Sequence, residues 1–130
     1  MATQLGQVIE IYDLKKNEIV NILFGKYGEP EFTNLESYAI PNGIMGYSDI
    51  QVGNDAIYTV FWGTPFKDIQ RDPFNTLEGG DMIQVFSLTG IPLQQYHLDK
   101  HIVGFSVDEK NKKLTGLDVN NENQIVEYQL

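Results

Sequence analysis

The stretch Ile44-Met45-Gly46-Tyr47-Ser48 returns 58 residues later as Ile102-Val103-Gly104-Phe105-Ser106. A second unit, Gln84-Val85-Phe86-Ser87-Leu88, returns 42 residues later as Val126-Glu127-Tyr128-Gln129-Leu130 and resembles Glu10-Ile11-Tyr12-Asp13-Leu14. Without an irregular insertion of about 15 residues, the longer spacing also falls in the low forties. A repeat of about 40 to 45 residues that holds four short strands is typical of a β-propeller blade.

Around these repeats, apolar residues alternate with polar ones at a period of two, and turn-forming residues separate the runs. This pattern predicts short strands rather than amphipathic helices. The predicted strands cover 7–14, 19–24, 44–52, 56–62, 82–88, 93–98, 102–107, 114–119 and 125–130. The chain is therefore predicted to be all-β.

The strands divide into parts of three blades within one predicted domain, 1–130. The third and fourth strands of an opening blade occupy about 7–25, a full blade occupies about 44–98 and an incomplete blade occupies about 102–130. An inserted loop is predicted at 63–80, where glycine and proline are frequent, and a connector at 26–43, in which 31–37 could form a turn or two of helix. The predicted fold is a partial β-propeller of four-stranded antiparallel blades, and the alternatives are a small β-barrel or a β-sandwich.

Two runs carry a resemblance to a known family. Residues 81–98, which include the turn Gly90-Ile91-Pro92, and residues 102–114, which include Val107-Asp108, resemble the TolB-like six-bladed propeller proteins of bacteria. The resemblance covers 44–130 well and 7–25 loosely. It implies that the chain is the C-terminal portion of such a propeller, with about two to two and a half blades. It also implies an exported or cell-envelope protein. Most members of the family have no assigned activity.

The composition excludes several classes of function. The 130 residues carry a formal net charge of −9, so a nucleic-acid partner is not expected. There is no cysteine, and no apolar run is long enough to insert into a membrane. The chain as given shows no signal-peptide pattern, which predicts a cytoplasmic location, in contrast to the resemblance.

Metal-ligand residue types cluster only at His97, Asp99 and His101. On a regular strand these three side chains would share a face, but a turn is expected at Asp99-Lys100. The run 118–122 alternates oxygen-bearing residues like the start of a calcium loop, yet it lacks the glycine and the final glutamate of that loop. Both are interpreted as turns, and neither a metal nor a cofactor is predicted.

No arrangement typical of a catalytic nucleophile is found, and acid pairs such as Asp108/Glu109 are interpreted as solvated surface. The chain is therefore predicted not to be an enzyme. A hydrolase or lyase activity would require the missing blades of a longer parent protein.

The predicted loop is the best candidate for recognition of a protein partner. Trp62, Phe66 and Phe74 flank Arg71 and other charges, a mixture that is frequent at interaction hot spots. The competing interpretation is that these aromatic residues pin the loop to the neighbouring blade.

A partial propeller exposes unpaired sheet edges and the apolar faces of its terminal blades, and both favour association. The sequence therefore predicts a non-catalytic binding or scaffold module that forms homo-oligomers through exposed blade edges. The alternative function is a small-ligand-binding β-barrel.

Overall fold

A computed structural model of the chain describes residues 1–130, with eleven strands and one short helix. Strand residues make up 55% of the chain and helical residues 5%. The strands form four separate antiparallel sheets, none of which closes on itself. The prediction of an all-β partial propeller is confirmed, and the alternative of a small closed barrel is wrong. No helix reaches the length and hydropathy that a bilayer span requires.

The chain divides into two compact units. The first unit comprises 1–47 and 63–76, and the second comprises 48–62 and 77–130. The prediction of a single domain over 1–130 stays a prediction.

The first unit opens with a hairpin of β1 (Val8–Asp13) and β2 (Glu18–Phe24). Its turn is stabilised by the Asp13 carboxylate, whose Oδ1 accepts hydrogen bonds from the backbone N–H groups of Lys15 at 2.9 Å and Lys16 at 3.1 Å. Asn17 completes the turn with a φ of 53°, in the left-handed region that asparagine tolerates. The opening strands predicted at 7–25 are confirmed.

The predicted connector contains a second hairpin, β3 (Phe32–Leu35) and β4 (Tyr38–Pro41). The turn or two of helix that the sequence suggested at 31–37 is therefore wrong. Glu36 has a φ of 55°, which reverses the chain between the strands, and aromatic and β-branched residues on both sides favour extended backbone.

The inserted segment 63–80 is not a loop throughout, because it contains α1 (Phe66–Arg71). Pro65 stands just before the helix, where its fixed φ of −58° suits a helix start. Asp68 in the first turn and Arg71 in the last complement the helix dipole, and their side chains form an ion pair of 3.3 Å. Six residues are too few for the sequence to show a helical period.

The second unit contains a four-stranded sheet in the order β5 (Tyr47–Val52), β6 (Ala56–Phe61), β7 (Gly80–Ser87) and β8 (Pro92–Ile102). The four strands predicted for the full blade are confirmed. The fourth strand is longer than predicted, because β8 continues past Leu98 instead of turning at Asp99-Lys100.

A three-stranded sheet follows in the second unit, made of β9 (Gly104–Asp108), β10 (Lys113–Leu117) and β11 (Ile125–Gln129). β10 lies between the other two, and both of its pairings run without a shift in register. The sequence prediction of three strands after residue 102 is confirmed.

Both sheets of the second unit contribute to one hydrophobic core. Val60, Ile83, Ile102 and Leu114 have no measurable exposed area. Half-buried side chains pack around this centre from β6, β8, β9 and β11, and these are Tyr58, Tyr96, Leu98, Phe105, Val126 and Tyr128. Burial of this apolar area is the main force that holds the two sheets together.

Candidate interaction surface

Polar side chains on β5 bind the backbone of β9 within the second unit. The backbone N–H of Phe105 donates to Asp49 Oδ2 at 3.0 Å. Two residues further along, the amide of Gln51 accepts from the Val107 N–H at 2.8 Å and donates to the Val107 carbonyl at 3.2 Å. β5 and β9, the first strands of the two sheets, are thus joined by hydrogen bonds from side chains to backbone rather than by backbone pairing of the two strands.

Glu109 extends this line of bonds to the turn between β5 and β6. Its carboxylate accepts the backbone N–H of Asn54 at 2.7 Å and that of Asp55 at 3.2 Å. These bonds, with that from Asn54 the largest cause, hold the pKa of Glu109 below its ordinary value. Glu109 thus lies at the surface, as the sequence interpretation of Asp108/Glu109 has it, but its carboxylate has backbone partners that the sequence did not predict.

Asp118 organises the turn between β10 and β11. It is fully buried and accepts hydrogen bonds from the Asn121 side chain at 2.6 Å and the Asn120 backbone at 2.9 Å. Burial raises its pKa, but the bonds from Asn121 and Asn120 outweigh burial and leave the pKa below its ordinary value. Asn120 in turn bonds both backbone groups of Glu78. Residues 118–122 lie in a turn, as the sequence interpretation predicts.

The two sheets of the second unit differ at their outer strands. β8 begins with Pro92 and has a large irregularity, since Ile102 lies opposite Gly80 whereas His97 lies opposite Met82. Four residues, 98–101, therefore face the single residue Asp81. β11 is regular along its whole length and has a partner strand on one side only.

A family model described as TolB-like 6-blade propeller-like matches residues 1–110. The chain belongs to this TolB-like family. The match spans both units from the opening hairpin to the turn after β9, and β10 and β11 lie beyond it. A comparison with curated proteins gives no match.

In this TolB-like chain the candidate metal ligands have separate partners. His97 Nε2 lies 3.1 Å from Gln95 Nε2, Asp99 Oδ1 accepts the Tyr128 hydroxyl at 2.7 Å, and His101 Nδ1 lies 3.1 Å from the Gly79 carbonyl oxygen. No three histidine, cysteine or acidic side chains are grouped closely enough to hold a metal ion. The irregularity in β8 sends Asp99 towards β11, so strand alternation alone did not predict these contacts.

The aromatic candidates occupy different environments. In the first unit, Phe66 is half-buried at the start of α1, whereas Phe74 is 97% exposed and Arg71 is exposed beside Asp68. Trp62 belongs to the second unit and is half-buried, and its indole Nε1 is enclosed without a hydrogen-bond acceptor. Exposure therefore favours Phe74 and Arg71 as contacts for a partner, and the binding role of all four residues stays a prediction.

Proposed function

We propose that the chain is a non-catalytic binding module of the propeller type that assembles with copies of itself through unpaired sheet edges. The observation that carries the proposal is the difference between the two sheets of the second unit. Both are built from the same sequence repeat, yet one has four strands and the other has three. The three-stranded sheet thus leaves the outer edge of β11 available for pairing.

The first unit supports the same proposal by its exposed apolar surface. Both strands of the β3–β4 hairpin are exposed almost throughout, and an isolated two-stranded hairpin is marginally stable in water. β2 has no second partner strand and is also largely exposed. The large exposed apolar side chains of these hairpins are Tyr12, Leu14, Ile19, Val20, Ile22, Phe24, Phe32, Leu35, Tyr38 and Ile40. Apolar surface of this extent is unusual for a soluble monomer and favours association.

The non-catalytic part of the proposal is supported by how the polar side chains are used. Glu109 and Asp118 stabilise turns, and Asp49 and Gln51 join two strands. These groups are committed to backbone partners and hold the fold, whereas a catalytic acid or base must face a substrate.

The test is the native mass of the 130-residue chain, measured by light scattering on a sizing column over a hundredfold range of concentration. We expect an assembly of defined stoichiometry that dissociates on dilution. A monomer at every concentration would contradict self-association. Addition of sodium chloride serves as a control, because screening the net charge of −9 should strengthen an assembly of like-charged copies.

A further inference from the structure

The backbone of β11 presents a regular set of unpaired groups along its outer edge. The N–H of Leu130 donates to the Lys112 carbonyl, and the N–H of Asp118 donates to the Gln124 carbonyl, each at 2.7 Å. In an antiparallel ladder hydrogen-bonded pairs alternate with non-bonded ones, so the even-numbered residues of β11 bond to β10. The N–H and C=O groups of Ile125, Glu127 and Gln129 therefore point away from β10.

The side chains of β11 suit a buried position. Val126 and Tyr128 pack against the core on one face, and Ile125 is 56% exposed on the other. The one charge of the strand, Glu127, forms an ion pair of 2.6 Å with Lys113. The ion pair offsets the charge of Glu127, so this edge adds little to the repulsion between copies that each carry a net charge of −9.

The outer edge of the neighbouring sheet provides an internal comparison. β8 has a proline, an irregular register and the charged pair Asp99-Lys100, and these three features commonly prevent strand addition at exposed edges. β11 has no proline, no shift in register and no unpaired charge. The chain thus protects one edge and leaves the other open.

From these observations we infer that β11 pairs antiparallel with β11 of a second copy, in a register centred on Glu127. This inference rests on the proposed function and names the surface that it uses. The outward groups of β11 are self-complementary, because a two-fold axis at Glu127 places Ile125 of one copy opposite Gln129 of the other. The ladder then supplies about six backbone hydrogen bonds and joins two three-stranded sheets into one continuous sheet.

The charges of the joined strands also balance. The two copies of Glu127 lie next to each other at the axis, and each remains paired with its own Lys113. Two acids and two bases therefore meet at the centre of the interface. Val126 of one copy lies opposite Tyr128 of the other, which is a favourable cross-strand pair of a β-branched and an aromatic residue.

The first experiment compares Glu127→Pro with Glu127→Gln by light scattering. Proline removes an N–H that points away from β10, so the fold tolerates it, but the intermolecular ladder loses its central donor. We expect the wild type and Glu127→Gln to be dimers, and the dissociation constant of Glu127→Pro to be higher by about a hundredfold. A monomeric wild type would overturn both this inference and the proposed function. A larger assembly, or a dimer that Glu127→Pro leaves intact, would overturn only the pairing of β11.

The second experiment uses the absence of cysteine from the chain. Glu127→Cys places one thiol in each copy at the two-fold axis, where Cα atoms of a hydrogen-bonded pair lie about 5.5 Å apart, within reach of a disulfide. Mild oxidation should give a covalent dimer. The matched control, Leu93→Cys, places an exposed thiol on β8 and should stay uncrosslinked. Equal crosslinking of the two variants would overturn the inference even if Glu127→Pro failed to fold.

Discussion

The two units of the chain use similar strand sequences with opposite results for burial. In the second unit, β6 is buried at nearly every residue and β7 at alternate residues, and both contribute to a core shared with β9 and β10. In the first unit, β2, β3 and β4 are as apolar, yet most of their side chains face solvent. Alternation therefore identifies β1 and β2 as well as the strands of the second unit, whereas burial depends on whether a second sheet covers the strand.

A leucine-to-alanine substitution, made once in each unit, should give the largest difference between a buried and an exposed apolar side chain. Leu114 has no exposed area at the centre of the second unit, whereas Leu14 is 91% exposed after β1. We expect Leu114→Ala to lower the free energy of unfolding by about 2–5 kcal/mol, because it removes buried methyl groups and leaves a cavity. Leu14→Ala should change it by less than about 0.5 kcal/mol.

Urea unfolding followed by tryptophan fluorescence measures both variants, with Trp62 as the only reporter. The prediction would be contradicted if Leu14→Ala lowered the free energy of unfolding as much as Leu114→Ala does. That result would mean that Leu14 is covered in solution, which self-association through the first unit would explain.

The repeated glycines provide a second comparison between equivalent positions. A Cβ at Gly46, in the first unit, would overlap the backbone oxygens of Gly6 and Thr3. A Cβ at Gly104, in the second unit, would meet only Asp49 Oδ2 at 3.4 Å, which is an ordinary contact. We expect Gly46→Ala to cost about 1–3 kcal/mol, because backbone atoms cannot move aside as a flexible side chain can.

Gly104→Ala should cost less than about 0.5 kcal/mol under the same conditions. Thermal unfolding of the two variants in parallel checks the order of the effects. If Gly104→Ala were the more damaging, the close approach of backbone atoms would lie at the second copy of the motif instead of the first.

The extent to which the fold was predictable follows the length and regularity of each element. The strands of the second unit were placed well because each has a period of two and a flanking turn signal. α1 was missed because six residues between two prolines show no helical period. The hairpin of β3 and β4 was missed because its turn depends on a left-handed Glu36, a conformation that no local signal predicts for glutamate.

The candidate site was less predictable, because its contacts join residues far apart in sequence. Glu109 reaches the turn at Asn54, and Asn120 reaches Glu78. An acid in a polar turn resembles solvated surface until the tertiary fold brings backbone donors to it. The open edge of β11 was implied by the count of strands, but the protection of β8 depends on a shift in register that only the structure shows.

The smallest effect on the free energy of unfolding is expected from the charge of Glu109. It should appear as a change of this free energy with pH. The backbone N–H of Asn54, the largest cause, and that of Asp55 keep the folded-state pKa of Glu109 below its ordinary value of 4.5. The unfolded chain then binds the proton more readily than the folded chain. The contribution of Glu109 to the free energy of unfolding is therefore fully present above about pH 4.5 and is lost as the pH falls through the lower folded-state pKa.

Glu109→Gln removes this titration while it keeps one acceptor oxygen. The difference in urea midpoint between the wild type and Glu109→Gln should therefore be largest near neutral pH and should shrink as the pH falls below 4.5. If the difference in urea midpoint stayed constant over this range, the prediction would be contradicted. The hydrogen bonds from Asn54 and Asp55 would then contribute equally to stability whether Glu109 is charged or neutral.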